Sequence, residues 1–288
     1  GSSGSTPFAP AVGANAISVM RAGLVVGVLG FLGAVLQGAN VTEAVGTELI
    51  GGVTLTATAA IVALVVAAVL VAAGVFAGYP IATAFTVTGA VVGVGLAMGG
   101  DPAWPKYAEI LTLWVSTPFV GGGAAYLVAR ALTGTRLPER ALTAVLAGVV
   151  GAILANVGFA LLGPAGEQAS VALVVAERAV VTPGVVTVAI AVVVAGAEYV
   201  DVTRDRAGAQ RRFLLSMGGL VAFSAGGSQV GLAIGPLVPI FGDVGVSLLA
   251  LLVGGGVGLL AGSWTGAPRM IKALAQDYAS MGPRRSIA

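Results

Sequence analysis

Apolar stretches long enough to cross a lipid bilayer recur along the whole chain. Examples are 61–76 with its flanks, 108–132 and 141–162, and about 20 apolar residues let a helix span the hydrocarbon core. A helix also satisfies its backbone polar groups internally, which lipid requires. Only 9% of the residues are charged, against roughly a quarter in soluble domains. We therefore expect an all-α integral membrane protein, built as a polytopic helical bundle.

The apolar pattern predicts the following order of segments. Helical spans are expected near 16–38, 53–77, 80–99, 108–132, 141–163 and 179–199, followed by a broken segment at 213–240 and a last span at 245–264. The tail, 266–288, is expected to form an amphipathic interfacial helix. The 45 glycines lie mostly within apolar runs, for example at 51, 89, 93, 95 and 121–123, where they let helix backbones approach closely.

Arginines in two loops predict the orientation in the membrane. The loops 133–140 and 201–212 both carry several arginines, while the connection 163–170 between them carries none. Basic loops stay preferentially in the cytoplasm, so both are predicted to be cytoplasmic. The connection holding Glu43 and Glu48, and the loop 101–106 with its tryptophan, fall on the opposite side by the same count.

The chain contains no cysteine and no histidine. Thiol nucleophiles, imidazole bases and the usual transition-metal ligands are therefore missing together. Without a convincing buried carboxylate pair, no nucleophile and base can be named, so we expect no enzyme, no catalytic residue, no metal site and no cofactor. The net charge of +2 gives no indication of nucleic-acid binding.

The apolar run Ala222–Asp243 holds an internal Gly226-Gly227-Ser228-Gln229. Glycines weaken a helix, and Pro236 lacks the amide that would continue it, so a discontinuous helix or re-entrant hairpin is expected. Unwound backbone at membrane depth survives only inside protein or beside a watery cavity, where freed amides can bind an anion. The alternative is a glycine-rich segment that merely packs against a neighbour.

The N-terminus weakly repeats this run. Aligning Gly1–Gly13 with 227–239 places Gly1-Ser2-Ser3 on Gly227-Ser228-Gln229. Paired broken segments indicate a transporter with inverted repeats and a site between them. We divide the chain into a first repeat at 1–132, linking helices and basic loops at 133–212, and the start of a second repeat at 213–288. We read the first residues as native sequence rather than a cloning scar, with the chain truncated at both ends.

Both stretches resemble the signature of the inorganic phosphate transporter (PiT) family, G-A-N-D-x-A-N-A-x-G-P-x-V-G. The likeness follows the family's motif order along most of the chain outside 141–210. The further stretches similar to the family are 30–52, the hairpin-like 78–97, 113–128 and 258–288. This resemblance implies a multi-pass permease of the cell membrane that moves phosphate with sodium ions or protons, contacts lipid and forms a homodimer.

The family's site, carried over position by position, falls on hydroxyl and amide side chains. The implied substrate-binding residues are Ser2, Ser3, Thr6, Thr83, Ser228 and Gln229, with Thr86 behind them. Ser2-Ser3 and Ser228-Gln229 stand where the family has Asn-Asp, and the hairpin's Ser-Thr-Thr-His is Ala82-Thr83-Ala84-Phe85 here. Because both signature aspartates are absent, the coupling ion is open, sulfate is an alternative substrate, and a transport-inactive scaffold is a third possibility.

Charged residues elsewhere have plainer interpretations. Glu177 and Arg178 could pair along a transport path, but an interfacial helix end is favoured, because Gly163-Pro164 comes before them and Pro183-Gly184 after. For Glu43 and Glu48, solvation at a helix end is favoured over a coupling carboxylate near the outer mouth. The tail's basic residues are expected to snorkel to lipid headgroups.

Overall fold

The computed structural model describes most of the chain. The described residues are 6–77, 81–133, 138–159, 162–163, 169–238, 240, 245–272 and 274–275. They form two compact units, one within Gly1–Gly122 and Met217–Gly282, the other within Gly123–Ser216. Each unit is described by itself below.

Helices make up nearly all of the described structure. They are α1 (Ala9–Gly13), α2 (Val19–Gln37), α3 (Ala39–Thr47), α4 (Ala57–Ala77), α5 (Thr83–Ala97), α6 (Trp104–Thr133), α7 (Glu139–Asn156), α8 (Val171–Ala179), α9 (Pro183–Arg204), α10 (Arg206–Ile234) and α11 (Leu248–Lys272), with 3-10 turns at Thr6–Phe8 and Gly235–Leu237. Two short antiparallel strand pairs occur, β1 (Ile50–Gly51) with β2 (Asp101–Pro102) and β3 (Gly158–Phe159) with β4 (Ala169–Ser170).

The prediction of an all-α polytopic membrane protein is confirmed. Within the described residues, six helices, α2, α4, α6, α9, α10 and α11, are long and apolar enough to cross a membrane. The spans predicted at 80–99 and 141–163 are the shorter apolar helices α5 and α7. Hydropathy therefore locates these elements well and overestimates the length of two of them.

The predicted break at Gly226-Gly227 is wrong, because α10 runs without interruption from Arg206 to Ile234. Both glycines instead face α2. A Cβ at Gly226 would overlap the backbone of Gly30, and one at Gly227 would lie 3.0 Å from the Cβ of Gln37. Close packing of two backbones thus explains the glycines. The helix ends later, in the 3-10 turn that contains Pro236.

We call this contact the glycine seam: Gly30 and Gly33 on α2 facing Gly226 and Gly227 on α10. A Cβ at Gly33 would overlap the backbone of Phe223, so neither helix can carry a larger residue here without moving away. Most of the glycines named in the sequence analysis have open space beside them instead of a packed neighbour, and two do not. Among the described residues nothing lies within 4 Å of a Cβ built at 89, 93 or 121–123, whereas Gly95 meets Ile50 and Gly51 meets Asp101.

The tail also departs from its prediction at its start. Residues 266–272 continue α11 instead of beginning an interfacial helix. Ala267, Met270 and Ile271 are completely buried, and Pro268 lies against α2, 3.1 Å from a Cβ built at Gly23. A buried face on α2 therefore holds this turn in the core of its unit. Residues 273 and 276–288 lie outside the described residues.

The helical hairpin of α4 and α5 packs on an apolar cluster, and the segment that follows α3 is bonded to α6. Buried residues of this cluster are Val45, Leu49, Leu55, Ala59, Ala63, Ala67, Val87, Val91 and Leu232. The Lys106 ammonium lies 2.9 Å from the Glu48 carboxylate, and the Tyr107 hydroxyl donates to the Leu49 carbonyl at 2.7 Å. Glu48 thus has an ion-pair partner that the sequence interpretation missed, and the side chain of Glu43 lies outside the described residues.

Replacing Tyr107 by phenylalanine removes one cross-element hydrogen bond and keeps the ring. We expect the free energy of unfolding to fall by about 1 kcal/mol, the usual net value of such a bond. Tyr126→Phe on the same helix is the matched control, since the Tyr126 hydroxyl is exposed and only accepts from Arg130 at 3.4 Å. Thermal unfolding in detergent measures both variants, and equal losses would contradict the assignment.

The second unit is built around α7 and α9. Gly148 and Gly151 let α9 approach, with the Ala191 carbonyl 3.0 Å from a Cβ built at Gly148. Asp205 alone separates α9 from α10, and the Arg212 guanidinium forms two bonds of 2.7 Å to the Asp201 carboxylate. Glu177 and Arg178 are exposed in the last turn of α8, which agrees with the favoured helix-end interpretation.

Candidate functional site

A hydrogen bond joins two of the residues that the sequence predicted for the site. The Thr83 hydroxyl on α5 donates to the side-chain carbonyl of Gln229 on α10, at 2.5 Å, in a partly buried position. These residues are far apart in sequence but lie in the same compact unit. The structure therefore brings the hairpin motif and the Ser228-Gln229 pair into contact.

Thr83 is placed by the start of α5. Ala82 precedes the helix with extended backbone angles of φ −71° and ψ 100°. The first amides of a helix have no carbonyl partner within it and carry part of the positive end of its dipole. Here the earliest amide bonded back to the cap is that of Thr86, which donates to the Ala82 carbonyl at 3.2 Å. The Thr83 side chain thus lies beside a helix terminus that favours negative charge.

Ser228 and Thr86 use their hydroxyls locally, on backbone carbonyls three and four residues earlier. The Ser228 hydroxyl donates to the Ala225 carbonyl at 3.1 Å, and the Thr86 hydroxyl donates to the Ala82 carbonyl at 3.0 Å. Ser228 adjoins Gln229 in the chain, whereas Thr86 lies one turn beyond Thr83. Both are close in sequence to the Thr83–Gln229 pair, and neither takes part in that hydrogen bond.

The N-terminal candidates are only partly described. Thr6 is exposed at the start of a 3-10 turn. Pro7 and Phe8, which follow it, are buried against α10, where a Cβ at Gly218 would lie 2.8 Å from the Pro7 carbonyl oxygen. Ser2 and Ser3 lie outside the described residues, so the predicted site between the two repeats can be described only on its Ser228-Gln229 side.

Two further polar residues near the site were missed by the sequence reasoning. Gln37, the last residue of α2, lies next to Gly227 across the glycine seam. Ser263 on α11 is only 3% exposed. Both lie in predicted membrane spans, where a polar side chain is a signal of function, but that signal does not show which neighbour the side chain faces.

The site is uncharged in its described part. Thr83, Ser228, Gln229 and Ser263 offer hydroxyls and an amide, which can donate hydrogen bonds to an anion and also accept them. Within the described ranges, no group of three or more acidic residues could hold a metal ion. Donors beside a helix N-terminus are suited to binding an oxyanion.

Comparisons with known proteins identify relatives along this chain. A family model described as the phosphate transporter family matches residues 1–288. A Pyrococcus furiosus protein that carries the name of a proposed phosphate permease is 34% identical over 137 residues, which is 45% of this chain and 33% of that protein. The chloroplastic inorganic phosphate transporter 2-1 of Arabidopsis thaliana is 28% identical over 41% of this chain and 21% of its own length. The matched region thus spans a third or less of these two relatives.

A solved structure shares the fold. The structure titled "The sodium-dependent phosphate transporter" superposes with a TM-score of 0.73 and 21% identity, over 99% of this chain and 77% of that one. At this level of identity the likeness shows the same arrangement of helices.

Proposed function

The chain belongs to the phosphate transporter family, and we propose that it is part of a secondary transporter that carries inorganic phosphate through the cell membrane with a coupled cation. The single observation that carries the proposal is the Thr83–Gln229 hydrogen bond. It joins the start of α5 to α10 at two positions that the family's motifs assign to substrate binding. The names of the relatives favour phosphate as the anion.

We assign phosphate contacts to the hydroxyls and amide of Ser2, Ser3, Thr6, Thr83, Ser228 and Gln229, with Thr86 behind them. Thr83 supports this assignment most directly, because it combines a hydroxyl with the positive end of a helix. An oxyanion that enters would take the Thr83 hydroxyl as a donor in place of its bond to Gln229. The Gln229 amide group would then donate to a second oxygen of the same anion.

The coupling cation is proposed to be sodium, because the solved structure of the same fold is titled as sodium-dependent. Gln229 stands at a signature position where the family has aspartate, so a cation near it would meet carbonyl and hydroxyl oxygens without a formal charge. We expect the phosphate dianion itself to supply the compensating negative charge. Proton coupling is the alternative.

The larger organisation follows the same proposal. The repeats at 1–132 and 213–288 would be related by inversion, with 133–212 between them and the loops 133–140 and 201–212 in the cytoplasm. Support comes from the compact units, since 1–122 and 217–282 contribute to one unit and 123–216 to the other. We expect a homodimer in lipid, and we assign no catalytic residue.

Uptake by proteoliposomes of the full-length protein tests the proposal. We expect accumulation of radiolabelled phosphate when a sodium gradient is imposed, and little accumulation without it. Uptake of sulfate in place of phosphate would support the sulfate alternative. Uptake that depends on a proton gradient would show that protons, and not sodium ions, are the coupling cation. If neither anion is taken up under any gradient, the result would support the third possibility, a transport-inactive scaffold with the same fold.

A further inference from the structure

Ser263 differs from several other helix hydroxyls in how its side chain is used. The hydroxyls of Thr42, Thr86, Ser228 and Thr265 all donate to a backbone carbonyl three or four residues earlier in the chain. Ser263 is 3% exposed, and no described residue forms a hydrogen bond with its hydroxyl. The hydroxyl of a residue this little exposed usually has a hydrogen-bond partner in a native protein, and that partner can be a water molecule.

A small crevice lies beside Ser263, where α11 meets α2 and α10. It measures about 10 Å³, and two of the residues that line it, Ser263 and Gln229, have polar side chains. The remaining lining is glycine and apolar residues, among them Gly30, Gly226 and Leu259. A cavity of roughly 10 Å³ is about the smallest that admits one water molecule, which needs two or more polar partners.

Gln229 can take part in two contacts at once. Its side-chain carbonyl accepts from Thr83, and a glutamine amide has two N–H donors besides that acceptor. A ligand in the crevice can therefore accept from the amide of Gln229 and bond to the Ser263 hydroxyl, while the Thr83 bond stays intact.

We propose that this crevice holds one water molecule that bridges Ser263 on α11 to Gln229 on α10, and that Ser263 is thereby a positioning residue for the substrate site. The second part rests on the proposed function. The water accepts from the Gln229 amide and exchanges a hydrogen bond with the Ser263 hydroxyl. Thr83, Gln229, the water and Ser263 then form one chain across α5, α10 and α11.

Water fits this crevice better than a cation does. Ser263 and Gln229 are both neutral, and the other side chains of the lining are apolar. A metal ion requires more oxygen ligands and a compensating charge when it is buried. The bridging water would also hold the Gln229 amide in one orientation. Without it, each substrate that binds would bear the entropy cost of ordering that side chain.

The test is a double-mutant cycle of Ser263→Ala and Gln229→Ala, in the full-length protein reconstituted in proteoliposomes. We expect Ser263→Ala to raise the KM for phosphate about tenfold with a smaller change in the maximal rate, and to have no further effect in the Gln229→Ala background. Thr265→Val is the matched control, since it removes an exposed hydroxyl of the same helix that bonds only to α11 carbonyls. An unchanged KM for Ser263→Ala, or losses that multiply independently, would overturn the bridge.

Thermal unfolding of the same four proteins tests the bridge without transport. We expect the losses in melting temperature to be less than additive, because either substitution alone breaks the bridge. Additive losses would overturn it. If the wild type shows no uptake while the unfolding data remain non-additive, the proposed function fails and the bridge stands. If Ser263→Ala instead changes the dependence of uptake on sodium and leaves the KM for phosphate constant, the crevice holds a cation and the proposal of a bridging water is wrong.

Discussion

A Gly226→Val variant is expected to yield little correctly folded protein. Gly226 lies at the glycine seam, where a Cβ would overlap the backbone of Gly30. Backbone cannot rotate away as a flexible side chain does, so α10 must separate from α2 along its length. We expect destabilisation at or above the upper end of the about 1–3 kcal/mol that overpacking usually costs. Gel filtration and thermal unfolding in detergent measure the folded fraction and its stability.

Gly258→Val on α11 is the control for that variant. It adds the same side chain to a membrane-spanning helix, but nothing described lies within 4 Å of a Cβ at Gly258. This variant should elute and unfold like the wild type. A Gly226→Val protein that is as stable as the control would show that α2 and α10 are further apart than the structure places them.

Gln229→Ala is expected to reduce phosphate uptake by about tenfold to a hundredfold. Hydrogen bonds to charged groups contribute about 1.5–3 kcal/mol, and this substitution removes both the amide donors and the acceptor that holds Thr83. Thr83→Val should give a similar loss. Because the two side chains act on each other, the double variant should be little worse than either single one.

The matched control for that pair is Thr117→Val, which removes a hydroxyl bonded only to the Leu113 carbonyl of its own helix. Uptake by Thr117→Val should equal that of the wild type. Full uptake by Gln229→Ala would remove this residue from the site, whatever the result for Thr83→Val.

The membrane-spanning helices could be predicted from the sequence because their signal is additive. Each apolar residue in 57–77 contributes to the same transfer free energy, so one error in a boundary changes little. The continuity of α10 could not be predicted in this way. Gly226 and Gly227 have the same local effect whether a helix breaks or packs, and the choice depends on Gly30 and Gly33, which are distant in sequence.

The candidate site was predictable where a motif placed the residues and not elsewhere. Thr83 and Gln229 were named from their motif positions, although their direct hydrogen bond was not foreseen. Ser263 lies in a run that resembles the family, but nothing local indicates that its hydroxyl faces a crevice rather than lipid. That information comes from α2 and α10, which pack against its helix.

The glycine seam should also leave a record in the evolution of this chain. Every single-nucleotide change of a glycine codon that replaces the amino acid adds at least a Cβ. At Gly33 or Gly226 each such substitution therefore places an atom where it overlaps the backbone of the facing helix. Glycines that face open space, such as Gly89 and Gly254, have no such barrier. Among orthologues, the seam positions should therefore stay fixed while the outward glycines change to alanine, serine or larger residues.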